Sequence, residues 1–222
     1  MAVTHLSSEK EKTAKVVAGG SGAVALCGIG ALVLTILGLV GIVPFAFCAI
    51  AIIAAGAGLA FQAGAIATRY QEALFEAGDD QRAEVELEGG VSAEMMGGIA
   101  AIVLGILALV HIATRDLLPI AAITLGASLL LGSAAAVPFN RIPADYTHSD
   151  TARRVSRYAV SSAVGADVLV GLGAVTLGIL GLIGVAHSVL PVLTLVAILA
   201  VGAAELITGS ALGTRMAMMF RH

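Results

Sequence analysis

Apolar and polar residues fall in long blocks along this chain rather than in short alternation. Six apolar runs, at roughly 17–41, 44–67, 91–112, 117–138, 159–184 and 189–213, each reach the ~20 residues that cross a hydrocarbon core of about 30 Å. The polar segments between them are uneven. Gly41–Phe45 with Pro44, His111–Leu117, and Val185–Ser188 before Pro191 are short, and short connections make antiparallel helical hairpins. Arg69–Gly90 and Phe139–Tyr158 are longer and polar. The pattern predicts an all-α membrane protein with six transmembrane helices in three tandem hairpins. Its segments are an N-terminal piece 1–16, hairpins 17–67, 91–138 and 159–213, an acidic linker 68–90, a basic linker 139–158 and a C-terminal piece 214–222.

The hairpins read as copies of one unit. Ser92–Val110, Gly165–Ile183 and Gly22–Val40 pair with 8, 10 and 11 identities over 19 positions, where a chain this rich in Ala, Gly, Leu, Val and Ile gives about two or three by chance. Each copy crosses twice, so all share one orientation, related by an axis along the membrane normal. The simplest packing is a pseudo-threefold bundle. Gly178, Gly181 and Gly184 recur every three residues, and Gly209 and Gly213 form a small-xxx-small pair, which predicts close helix contact.

Composition agrees with the blocks. The chain is 59% hydrophobic and 12% charged, against about 45–50% and 25% for soluble domains. The first run is too long for a signal-peptide core and is expected to remain as a span. A net charge of −3 leaves no basic footprint for nucleic acid. Lys10, Lys12, Lys15, Arg69, Arg82, Arg141, Arg153, Arg154, Arg157, Arg215 and Arg221 all fall on the side of the termini, and Arg115 alone on the other. The positive-inside rule then expects both termini in the cytoplasm. Cys27 and Cys48 sit inside apolar runs and read as small hydrophobes rather than a disulfide.

Candidate chemistry lies at three levels. Glu94, Asp167 and Glu205 fall inside predicted spans, and at about 1.5 Å per residue they lie about 7–12 Å from mid-span, all toward the cytoplasm. Gln62 comes out in the same layer. Ionisable groups inside a membrane are costly and are candidates for function. Glu94 and Asp167 are equivalent in the repeat, where the first copy has Val24. One reading is a proton or cation site, since carboxylates crowded in a low dielectric cannot all ionise. The other is structural, with Glu94 at the interface, Asp167 bonded to Ser161 or Ser162, and Glu205 bonded to a facing helix. His111 and His187 fall at hairpin tips and suit either pH sensing or axial ligation of a haem or pigment, beside the plainer reading of exposed loop histidines. Arg153, Arg154 and Arg157 precede span 5, placed for anionic headgroups. In the linkers, the seven acids of Tyr70–Gly90 read as a solvated face. Asp145, Tyr146, His148 and Asp150 lack the further ligand a metal site needs. The chain has no phosphate loop, no nucleophile with a base and no Cys/His metal spacing, so neither an enzyme nor a cofactor is expected.

Gly98-Ile99-Ala100-Ala101-Ile102-Val103-Leu104-Gly105-Ile106-Leu107-Ala108-Leu109, followed in its hairpin by Ala122-Ile123-Thr124-Leu125-Gly126-Ala127-Ser128-Leu129-Leu130-Leu131-Gly132, resembles the short-repeat membrane proteins of the HdeD acid-resistance type. The resemblance covers most of residues 20–213. It implies a six-span inner-membrane protein linked to acid or stress tolerance, with no catalytic residues to carry over. The long acidic linker and the intramembrane acids depart from that pattern. Three functions follow as expectations: a non-enzymatic stress-response membrane protein; a small proton- or cation-linked transporter or channel using the carboxylates; or a structural subunit, either as a homo-oligomer or in a larger membrane complex. The lipid bilayer is the partner common to all three.

Overall fold

A computed structural model describes the backbone of residues 22–77, 81–136, 150–184 and 189–219, and the side chains of 22–64, 67, 91–133, 164–184 and 189–210. Among the described residues the chain is all-helical. The helices are α1 (Gly22–Leu39), α2 (Pro44–Ala77), α3 (Gln81–Leu109), α4 (Thr114–Ala136), α5 (Asp150–Ile183) and α6 (Leu190–Met219). All six hold a stretch long and apolar enough to cross a membrane, and the chain is a multi-pass membrane protein.

Helix ends follow local chemistry. Pro44 opens α2 at a first-turn position where its missing N–H costs nothing. Thr114 opens α4, and its hydroxyl donates to Ala108 O at 3.0 Å, tying the helix back to α3. Helix α2 continues past the apolar run to Ala77, and Gly78-Asp79-Asp80 lies outside the described residues. Asp150 is the first residue of α5.

Two kinds of helix result. In α1 the buried positions are Val24, Gly28, Ala31, Thr35 and Gly38. In α3 they are Glu94, Gly98, Ala101, Gly105 and Ala108, and in α5 Asp167, Gly171, Ala174, Gly178 and Gly181. Spacings of four and three make a narrow seam on one face, and the seam is almost entirely small residues. The opposite face carries large apolar side chains. Leu26, Met96 and Leu169, at one position of the repeated stretch, are 71%, 71% and 73% exposed. So much exposed apolar surface suits lipid, not water. Helices α2, α4 and α6 are buried on a broader face, and they touch one another at the centre. Helix α3 lies against α2 and α4, and α5 against α4 and α6.

Glycine sets these contacts. A Cβ on Gly98 would stand 2.6 Å from Gly56 O, one on Gly171 2.8 Å from Gly126 O, and one on Gly28 2.8 Å from Gly202 O. The same three glycines of the repeated stretch therefore each meet a glycine carbonyl of another helix, and the last contact joins α1 to α6. Lipid tails are as apolar as leucine, so no hydrophobic force drives these helices together, and close backbone packing supplies the attraction instead. Of the small residues singled out in the sequence, Gly178 packs on Pro119 and Ile123, Gly181 on Pro119 and Gly209 on Ala25. Gly184 has another use: it takes a left-handed turn at φ 70°.

Gly98→Leu should separate α3 from α2 and lower stability in detergent by about 1–3 kcal/mol or more. Gly30→Ala, where an added Cβ meets nothing within 4 Å, should change it by less than about 0.5 kcal/mol. Thermal or denaturant unfolding of the two variants beside the native chain reads the difference.

Candidate functional site: a buried carboxyl layer

All three intramembrane acids are buried, Glu94 and Glu205 at 1% exposure and Asp167 at 6%. Burial at 1% turns Glu94 into the bundle rather than outward at the interface, the milder of its two readings. Its place in the small-residue seam turns it toward α4, and its carboxyl group packs on the backbone of Gly132, where an added Cβ would lie 2.6 Å from Oε2. Glu205 reaches from α6 to α2 and packs in the same manner on Gly58, whose Cβ would meet its two oxygens at 2.6 and 2.9 Å. A glycine opposite each glutamate makes the room for a carboxyl group where a side chain would otherwise stand.

Asp167 is held differently. The Thr208 hydroxyl donates to its Oδ1 and Oδ2 at 3.4 Å each, long and shared. Thr208 is thus its described partner; the side chains of Ser161 and Ser162, proposed from sequence, lie outside the described residues. The three carboxyl groups lie within electrostatic range of one another, and the Cys27 thiol of α1 within range of Glu205. Both cysteines are free; Cys48 is buried and Cys27 only half-buried.

Hydrogen bonding in this layer is incomplete. Among the described residues Glu94 Oε1, Glu205 Oε1 and Oε2, and Gln62 Oε1 are buried without a hydrogen-bond partner. Buried polar atoms in folded proteins are nearly always satisfied, so each exception asks for an explanation. The hydroxyls nearby are otherwise engaged: Ser128 donates to Thr124 O at 2.7 Å and Ser133 to Leu130 O at 2.9 Å. The described lysines and arginines reduce to Arg115, at a hairpin tip, so no described cation faces the acids. No three described His, Cys, Asp or Glu residues converge as a metal site would require.

Aligning the second helices on Gly56, Gly126 and Gly202 explains the asymmetry. Glu205 takes the position of Leu59 and Leu129, both fully buried core residues. Thr208 takes that of Gln62 and Gly132. The pairs Glu94 with Gly132 and Asp167 with Thr208 therefore repeat one another, and Val24 with Gln62 are their counterparts in the first copy. Gly58, Gly132 and Thr208 escape a reading that looks only for ionisable residues. The signal that finds them is the register of the second helix, read position by position.

The other candidates separate from this layer. His111 is exposed at a turn with φ 67°, where the other two copies place Gly41 and Gly184 with φ 93° and 70°. The residue matching His111 in the third copy is thus Gly184; His187 lies outside the described residues. Arg153, Arg154 and Arg157 lie near the start of α5, and their side chains are likewise outside the described residues. No protein-family model, curated protein or solved structure matches this chain.

Two stability measurements follow. Glu205→Leu, which restores the residue of the other copies, should stabilise the protein by about 1–3 kcal/mol, because two buried unsatisfied oxygens disappear. His111→Gly should stabilise by up to about 1 kcal/mol, since glycine adopts a left-handed φ without steric cost. Denaturant or thermal unfolding in one detergent compares both with the native chain.

Proposed function

We propose that this chain is a non-enzymatic protein of the bacterial inner membrane whose buried carboxyl layer binds and releases protons, serving an acid or stress response. The observation that carries the reading is Glu205: fully buried, at a position its sister copies fill with leucine, with both carboxyl oxygens unpartnered among the described residues. A carboxylic acid in that place costs stability, and intramembrane acids held at such a cost are characteristic of proton sites. Glu94 and Asp167 lie in its electrostatic reach with no described cation between them, so the layer changes charge chiefly by exchanging protons. The resemblance to acid-resistance membrane proteins points the same way.

The fold supplies the frame for this layer. In this reading three tandem hairpins surround a pseudo-threefold axis, and the positive charges on the side of the termini and long linkers support a cytoplasmic leaflet for Glu94, Asp167, Glu205 and Gln62. Symmetry is broken at this level by Glu205 for leucine and by Glu94 and Asp167 for valine.

The test is a titration. Native protein in lipid nanodiscs, followed by its carboxyl infrared bands between about pH 4 and 9, should show protonation of intramembrane acids. Glu205→Gln should remove one component and leave the helical content unchanged. A band that is the same at every pH in that range, in native protein and variant alike, overturns the reading.

A further inference from the structure

Buried polar groups are unevenly distributed along the bundle axis. Gln62, Glu94, Ser128, Ser133, Asp167 and Glu205 all lie in the half nearer the long linkers. The half nearer the hairpin tips has a different core. Ala31, Ala49, Ile52, Ala101, Leu118 and Ile198 are among its buried residues, each at 0% exposure. Its two buried hydroxyls are committed to their own helices: Thr35 donates to Ala31 O at 2.7 Å, and Thr194 to Leu190 O at 3.1 Å. Side chains through this half are described without a gap up to the tips of the first two hairpins, and in the third up to Gly184 and from Val189.

The lengths decide what this means for a proton. From Glu205 to Leu190, where α6 begins at the tip, is 205 − 190 = 15 residues, about 22 Å at about 1.5 Å each. From Glu94 to Leu109, the tip end of α3, is likewise 109 − 94 = 15 residues. Proton transfer needs donors and acceptors within hydrogen-bond reach, of about 3 Å or one water further. Across that distance the described core offers the two committed threonines and, one turn from the tip of α2, the lone thiol of Cys48, too few to make a chain. Toward the linkers the situation reverses. Glu94 is three residues inside the apolar run that begins at 91, and Asp167 eight residues inside the run that begins at 159, about 4.5 Å and about 12 Å from the linker ends of those runs. Helices α3 and α5 continue outward from there as polar helix to Gln81 and Asp150.

We infer that the carboxyl layer exchanges protons with the linker face alone, so that it reads the acidity of one compartment and passes no protons to the other. This rests on the proton-binding reading above and adds its sidedness. The groups that face Glu205 from its neighbours fit a closed terminus. Helix α1 offers Cys27, α2 the backbone of Gly58, α3 Glu94 and α5 Asp167. Helix α4 has Ser128 buried at this level, bonded to its own helix and packed on Gly97 of α3, and no described titratable group here. The unpartnered Gln62 Oε1, buried on α2 one turn closer to the linkers than Gly58, can accept a hydrogen bond from the water that carries a proton inward, and the unpartnered Glu205 oxygens give that proton a place to bind. A proton that reaches Glu205 leaves by the way it came.

The full chain in sealed liposomes distinguishes the outcomes. The lumen is buffered at fixed pH and the bath is stepped, with the carboxyl infrared bands as readout. Molecules insert both ways, and protease added outside cuts the linkers of those whose linker face is outward, which counts them. The bath step should titrate that fraction and no more, and a protonophore should then titrate the rest. A potassium gradient with valinomycin should drive no proton flux above that of empty liposomes. A response of the whole population before protonophore, or flux above empty liposomes that Glu205→Gln removes, overturns one-sided access while the proton-binding reading stands. Bands that stay unchanged even with protonophore overturn both.

Discussion

Everything in this bundle depends on backbone meeting backbone. Within a bilayer the apolar side chains gain little by leaving lipid for one another, so six helices hold together by packing that lipid cannot match. Gly28 on Gly202, Gly98 on Gly56 and Gly171 on Gly126 bring helices to contact at 2.6–2.8 Å from where a Cβ would be. The narrow seams of α1, α3 and α5 are built for this, with small residues at spacings of four and three. Once helices are that close, a position on the seam has no room for a long side chain. Glu94 and Glu205 fit because Gly132 and Gly58 stand opposite them. Packing and site are thus one arrangement: the residue type that lets helices touch also makes space for the acids.

Much of this is visible in the residues themselves. Six spans can be counted from apolar runs, because crossing a membrane requires length and hydrophobicity and little else. The depth of Glu94, Asp167 and Glu205 follows from helical rise, which no packing detail alters. Which way each acid faces does not follow. Glu94, three residues from the start of its span, suits an interface or a core equally well by depth. Only the seam it shares with Gly98 and Ala101 turns it inward, and that face is chosen by the neighbouring helix. His111 is a similar case: its type suggests chemistry, while the left-handed turn it occupies is a backbone property set by the hairpin. Thr208 is the reverse, an unremarkable residue in sequence that becomes the partner of Asp167 across 41 positions of chain.

The buried acids run against the economy of the rest of the core. A leucine at 205 would match Leu59 and Leu129, and a small apolar residue at 94 would match the seam. Three carboxyl groups instead share one level without a described cation. Like charges there oppose one another in a medium that screens poorly, so the layer and the interfaces around it depend on how many protons are present. The glycines at 58 and 132 touch the carboxyl groups directly, so any change of charge at Glu94 or Glu205 acts on the α3–α4 and α6–α2 contacts first.

The contact of Gly28 with Gly202 has a consequence for how the molecule is made. Helix α1 emerges from the ribosome before the other five helices and α6 after them, yet these two meet. Until α6 arrives, the small-residue seam of α1 has no glycine partner and faces lipid or an insertion factor. The helix that covers it is also the one that carries Glu205. The ring therefore closes in a single event, in which its deepest acid leaves the surroundings of the membrane for the niche at Gly58. A chain stopped before that helix would have all its other acids and glycines and no closed bundle around them.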